Sequence, residues 1–198
     1  PIQEDIRNVT ISLPEGTDAS VYAQMWLELT NWKSGQRMHF VMTDRSSYTF
    51  ANIIRNTSWN AVIRNQRGDV FGKIDAIDVA DEDVTVAFES LQQPQNVTLT
   101  VKDAEGKDVT ADTQITWTDA TGNYLSQSYS VNGLLLGNKL GYNIVLSQNL
   151  AMAYAAPSLT EYTVADNDNN IVCTLSPLQK VVVSGKVIDL TTKSAISG

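Results

Sequence analysis

The chain is poor in the residues that do chemistry. It has one cysteine, Cys173, and one histidine, His39, among 198 residues. A single cysteine excludes any disulfide within the chain. His39 has no cysteine or carboxylate cluster beside it in sequence, which argues against a zinc site or a Ser-His-Asp triad. No serine sits in a G-x-S-x-G elbow, and no glycine-rich phosphate loop is present. Basic residues are also short: 14 Lys and Arg against 22 Asp and Glu give a net charge of −8. Such a surface has no basic stripe to neutralise nucleic-acid phosphates or anionic lipid heads. No apolar run is long enough to span a bilayer. A hydrophobic content of 42% still suffices for a packed core rather than a disordered chain.

What is present is alternation. Val9, Ile11 and Leu13 alternate with Thr10 and Ser12, and Val97, Leu99 and Val101 alternate with Thr98 and Thr100. Val84, Val86 and Phe88 repeat the pattern, as do Tyr142, Ile144 and Leu146. Period-two patterning rich in Val, Ile, Thr and Tyr predicts strands. Turn chemistry separates the runs at Pro14–Gly16, Arg67–Asp69, Asp103–Gly106, Asp119–Asn123 and Asp166–Asn169. Short strands at this spacing predict an all-β chain built of β-sandwiches. The one helix candidate, 19–29, reads as strand, because its counterpart 113–118 alternates.

The chain also repeats itself. Asn8-Val9-Thr10 recurs as Asn96-Val97-Thr98, and Val79-Ala80-Asp81-Glu82-Asp83 recurs as Val164-Ala165-Asp166-Asn167-Asp168. A repeat of about 88 residues is long enough for a domain with a modest core of its own. The expected division is one β-sandwich over 1–93, a second over 94–179, and the truncated start of a third over 180–198. Pro94 and Pro177 lie near the joints, which are short enough to make the two units semi-rigid neighbours. The last segment, strand-like from Val181 to Asp189, is expected to add to a free sheet edge of the second unit or of a neighbouring molecule.

The run Val183-Ser184-Gly185-Lys186-Val187-Ile188-Asp189, followed by Ala195-Ile196-Ser197-Gly198, resembles the opening of a carboxypeptidase regulatory-like domain. That family is a prealbumin-like β-sandwich, close in shape to Ig-like modules and to the Cna-B repeats of bacterial adhesins. Its turn-and-strand pattern, roughly L-x-x-G-x-Y-x-V, is matched from Leu134 to Val145 through Gly137 and Tyr142. The first unit offers Ile53 to Val62, with Asn56 standing near Gly137 and Trp59 at the Tyr142 position. The stretch Ile115 to Leu125 is similar to repeats of large exported proteins of the Bacteroidetes. The resemblance implies accessory and spacer modules outside the cell, with no catalysis and no cofactor. It covers the last eighteen residues best and both units loosely.

Three features invite chemistry and are weighed against plainer readings. Asp166, Asp168 and Asn170 have the spacing that opens a calcium loop, but Ile171 replaces the glycine and Pro177 the bidentate Glu. Both units have an acidic turn there, so a solvated hairpin turn outweighs a weak calcium site and no metal is expected. Tyr22, Trp26 and Trp32 read either as core or as an exposed aromatic strip able to grip sugar rings or partner loops. Asn8, Asn56 and Asn96 lie in glycosylation sequons, yet two of the three are the same strand start in two units. The expected role is a non-catalytic spacer or adhesion-type binding module of a larger surface or secreted protein. Its partners would be its own neighbouring domains and a protein or glycan ligand of unknown identity. The alternative is an accessory or carbohydrate-binding pair of domains within an exported peptidase or glycoside hydrolase.

Overall fold

The computed structural model describes residues 5–158, 160–179 and 190–192. The expected third-unit strand from Val181 to Asp189 lies outside the described residues. Alternating burial sets the strands. In β1 (Ile6–Ser12) Val9 and Ile11 point into a core, and in β8 (Gln95–Lys102) Val97, Leu99 and Val101 do the same. The intervening threonines face solvent and pair across the ladder, as Thr10 Oγ1 does with Thr49 Oγ1 at 2.9 Å.

The first half of the chain forms two facing sheets. One has β1 at its centre, antiparallel to β4 (Ser47–Ile54) and parallel to β7 (Val84–Ala87). The other runs β3 (Arg37–Val41), β2 (Trp26–Asn31), β5 (Thr57–Arg64), β6 (Val70–Val79). Both contribute to one core around Trp59, Phe50, Phe71 and Phe88. The second half repeats the plan. There β8 lies between β11 (Ser130–Leu134) and β15 (Asn170–Thr174), antiparallel to the first and parallel to the second. The opposing sheet runs β10 (Tyr124–Gln127), β9 (Thr113–Asp119), β12 (Lys139–Leu146), β14 (Thr160–Thr163). Its own core centres on Trp117, with Tyr142, Leu99 and Ile144. The chain is therefore an all-β pair of sandwiches with matching strand order.

Two sequence expectations need correction. Residues 19–29 are not all strand: Ala19–Tyr22 is a 3₁₀ turn, capped by Asp18, whose carboxylate accepts from Ser20 N at 3.0 Å. A 3₁₀ turn at Thr110–Asp112 holds the same place in the second half, so both crossings from one sheet to the other are tight turns. Trp59 does not match Tyr142. Trp59 pairs with Asn31 and Leu140 with Asp119, and these partners head equivalent hairpins; Tyr142 falls at the position of Ala61. Cys173 pairs with Val101 two rungs beyond the Ile171–Leu99 pair, where the first half has Phe88.

Equivalent turns reset the chain before β5 and β12. Asn56 (φ +56°) and Gly137 (φ +82°) both adopt the left-handed conformation. Both donate their N–H to equivalent carbonyls, Asn56 to Val79 O at 2.6 Å and Gly137 to Val164 O at 2.8 Å. The second half adds a one-turn helix, α1 (Gln148–Ala151), and a short ribbon of β13 (Tyr154–Ala155) with β16 (Ser176–Pro177). The first half has only a hairpin there.

Candidate functional site

The three aromatic residues singled out by sequence do not form one strip. Tyr22 is 3% exposed and belongs to the first core; its hydroxyl donates to Gln92 O at 3.2 Å, and burial pushes its pKa up. Trp26 lies on the outer face of the β3-β2-β5 sheet and is half-buried by its own neighbours. The Arg64 guanidinium sits 4.4 Å from its ring centre, and the His39 ring lies 5.6 Å away. Arg64 is held in turn by Glu28, Nη2 to Oε2 at 2.9 Å, with Arg37 on the other carboxylate oxygen at 3.9 Å. Trp26 is thus the floor of a cation–aromatic lattice. Arg64 already covers a face of the ring, which leaves it poorly placed to stack on a planar ligand.

Trp32 is different. It projects from the β2–β3 hairpin and is 65% exposed. Its Nε1–H donates to Asp75 O at 3.1 Å, which fixes the ring at the rim of a groove of about 620 Å³. The groove opens between the edge strands β3 and β4. Gln36, Met38, Asn52, Ile54 and Asn56 line it beside Trp32. Exposed carboxamides next to a pinned indole can take hydroxyl-bearing or peptide ligands.

At the acidic turn of the second half, Asn167 and Asp168 have φ of +64° and +47°. The Asp168 carboxylate accepts from Asn170 Nδ2 at 2.7 Å, and Asn170 Oδ1 accepts from Thr98 Oγ1. Buried Asn169 ties the turn together, accepting from Ala165 N and from Tyr162 OH, each at 2.8 Å. In the first half Asp83 closes the corresponding end by accepting from Asn8 N at 2.8 Å and Asn8 Nδ2 at 3.0 Å. These hydrogen bonds hold the Asp83 carboxyl below its ordinary range. In both halves the turn's polar side chains serve the ladder. Among the described residues no group of three His, Cys, Asp or Glu side chains converges. Cys173 is half-buried in β15, and burial pushes its thiol up, as befits a small core residue.

Sequence reasoning missed the joint between the halves. The β5–β6 turn presents Asn65, which is buried, and its Nδ2 donates to Asp69 Oδ2 at 2.7 Å and to Gly133 O at 3.0 Å. Arg67 Nη2 also donates to Gly133 O and reaches Asn132 O at 3.4 Å. Leu135, from the second half, packs against the first core. In sequence Arg67-Gly68-Asp69 signals only a turn. Nothing local says that a carbonyl 66 residues away will accept from it.

No family model matches this chain, and no curated protein matches it in sequence. Solved structures do. The shaft pilin of Lactobacillus rhamnosus GG matches over 89% of this chain and 100% of its own, at 11% identity and a TM-score of 0.48. A C-terminal fragment of the pilus adhesin from the same organism covers 91% of this chain and 100% of its own, at 10% identity and a TM-score of 0.39. The minor pilin of Streptococcus agalactiae covers 91% of this chain and 100% of its own, at 11% identity and a TM-score of 0.50. At that identity the likeness is one of fold alone, a chain built of β-sandwiches.

Proposed function

We propose that this chain is a non-catalytic module of a larger surface or secreted protein, acting as a stiff spacer that also presents a binding surface. The joint carries the reading. A buried carboxamide and a guanidinium from one sandwich converge on Gly133 O of the other, and Leu135 fills a place in the first core. Two sandwiches so tied transmit position and load instead of swinging on a linker. The pilin-like fold is consistent with such a role; the run from Val183 to Asp189 favours a carboxypeptidase regulatory-like repeat, and the stretch from Ile115 to Leu125 favours an exported Bacteroidetes protein as the parent. NMR relaxation tests it. One rotational correlation time for both halves is expected, separating into two in the Asn65→Ala/Arg67→Ala double variant. Independent tumbling of the halves in the unmodified chain would overturn the spacer reading.

A second reading, accessory or carbohydrate-binding domains of an exported enzyme, is favoured by one observation. The exposed Trp32 ring is pinned at the mouth of a groove instead of being packed away. A catalytic domain next to this segment in the full-length protein would shift the weight to that reading.

A further inference from the structure

The two halves differ most along one side of the sandwich. In the first half the chain leaves β3 and reaches β4 by the loop from Met42 to Ser46. Met42 is fully buried beneath it. Phe40 packs on Phe50 with ring centres 4.8 Å apart and on Tyr48 at 5.6 Å, and the Tyr48 hydroxyl accepts from Thr43 N at 2.8 Å. Together these fill much of the side between the sheets with aromatic rings, Phe40 remaining partly exposed. In the second half the corresponding crossing is only Ser128 and Tyr129. Register fixes the correspondence. Tyr48 stands opposite Ile11, and the Tyr129 carbonyl accepts from Leu99 N, Leu99 being the counterpart of Ile11. Phe50 stands opposite Val9 as Val131 does opposite Val97. Counted from the other sheet, Gln127 stands opposite Thr116 as His39 does opposite Glu28, so the next residue, Ser128, takes the place of Phe40.

The consequence is an opening. Tyr48 is 7% exposed, whereas Tyr129 is 63% exposed. A cleft of about 850 Å³ lies on this side of the second half, reaching core residues, against a hollow of about 690 Å³ rimmed by Phe40, Thr43 and Tyr48 in the first. The cleft's volume falls in the range of about 300–1,000 Å³ usual for small-ligand sites. Buried Leu99, Val109 and Ile115 make its floor. Its walls carry hydroxyls, carboxamides and carboxylates, and no lining residue is basic. The Asp112 carboxylate, the Gln114 and Gln127 carboxamides and the Tyr129 hydroxyl have no hydrogen-bond partner among the described residues.

We infer that this lateral cleft is a binding site for short neutral oligosaccharides. Resting on the presentation role proposed above, it names the ligand class and moves the site from the Trp32 groove to the second sandwich. A sugar ring offers an apolar C–H face and a ring of hydroxyls. Tyr129 supplies an aromatic face for the first. Asp112, Gln114 and Gln127 supply acceptors and paired donors for the second. Asp108 and Asp112 repel sialylated or sulfated glycans, because like charges at a polar site are unfavourable.

The test is binding of the intact chain to a panel of neutral glucose-, mannose-, galactose- and N-acetylglucosamine-based oligosaccharides, with anionic glycans alongside. Tyr129→Ala is expected to weaken binding about tenfold, the equivalent of one lost aromatic contact. Ser128→Phe, which rebuilds the plug of the first half, is expected to abolish it while leaving the melting temperature unchanged or higher. Gln114→Ala with Gln127→Ala gives a check that does not touch the core. Absence of binding by the folded chain overturns the inference, as does binding that survives both Tyr129→Ala and Ser128→Phe. Loss in Trp32→Ala alone would transfer the site to the groove. None of these outcomes bears on the joint, which the tumbling measurement tests separately.

Discussion

The two sandwiches share a strand order but solve the same packing problem differently. At one matched pair of inward positions the first half has Leu29 opposite Ala61, and the second has Trp117 opposite Tyr142. The large aromatic of the first half, Trp59, sits one inward step along the strand and takes its hydrogen bond locally, Nε1 to Thr57 Oγ1 at 2.8 Å. Trp117 instead reaches out of its sheet to Ser128 O at 2.9 Å. The second half therefore spends its bulk at the centre and leaves one flank thin. The first half spreads aromatics to the flank through Phe40, Tyr48 and Phe50. A fold of this kind fixes where strands lie, and leaves open how each flank is filled.

The largest expected effect tests whether the cores are separate. Trp117→Ala should cost the second half about 3–5 kcal/mol, and Leu29→Ala the first about 2–5 kcal/mol. Thermal unfolding followed by residue-resolved NMR should show each loss confined to its own half. Equal loss in both halves from either variant would mean one cooperative unit.

Of intermediate size is the plug itself. Phe40→Ser, which copies the second half's residue into the first, gives up two ring contacts and should cost about 1–2 kcal/mol. It should also open the flank, raising the exchange rate of the Thr43 amide that now donates to Tyr48. An unchanged exchange rate would show that the Met42–Ser46 loop closes that side without the ring.

The smallest effect is electrostatic. Asn31 and Asp119 head equivalent hairpins and accept the same kind of bond: Asn31 Oδ1 from Lys33 N and Ser34 N, Asp119 Oδ1 from Thr121 N and Asn123 N. Hydrogen bonds from the Thr121 and Asn123 side chains, with the Asn123 amide, hold the Asp119 carboxyl down to about 2, from an ordinary 3.8. A folded value below the unfolded one means the contribution is complete above about pH 4 and is lost as pH falls through about 2. The β9–β10 turn should loosen in that window while the β2–β3 turn, capped by a neutral amide, does not. Amide shifts of Thr121 and Asn123 report it, and Asp119→Asn should remove the response. Parallel loosening of both turns would assign the change to something other than this carboxylate.

Much of this was legible in the chain. Alternation placed β1, β7, β8 and β12, and the repeated acidic turns marked equivalent ladder ends. Asn56 stood near Gly137 in the sequence match, but that both take the left-handed conformation is visible only in the backbone. The misreadings share a cause. Trp59 was matched to Tyr142 on chemical likeness, but cross-strand partners set the register, and a two-residue slip keeps the same face inward. Tyr22 looked available because a short segment with three aromatics resembles a surface strip. A 3₁₀ turn rotates it into the core while Trp26, four residues on, points outward beneath Arg64.

The chain's own pattern is enough to establish an all-β protein with a repeated plan, because period-two burial and turn chemistry are local and each strand carries its own signal. Its shortage of histidine, cysteine and basic residues likewise narrows the chemistry without any coordinates. The joint at Gly133, the lattice over Trp26 and the open flank beside Tyr129 all depend on residues far apart in sequence. Such contacts arise only when sheets pack and loops of unequal length cross the same gap, and no local pattern encodes that distance.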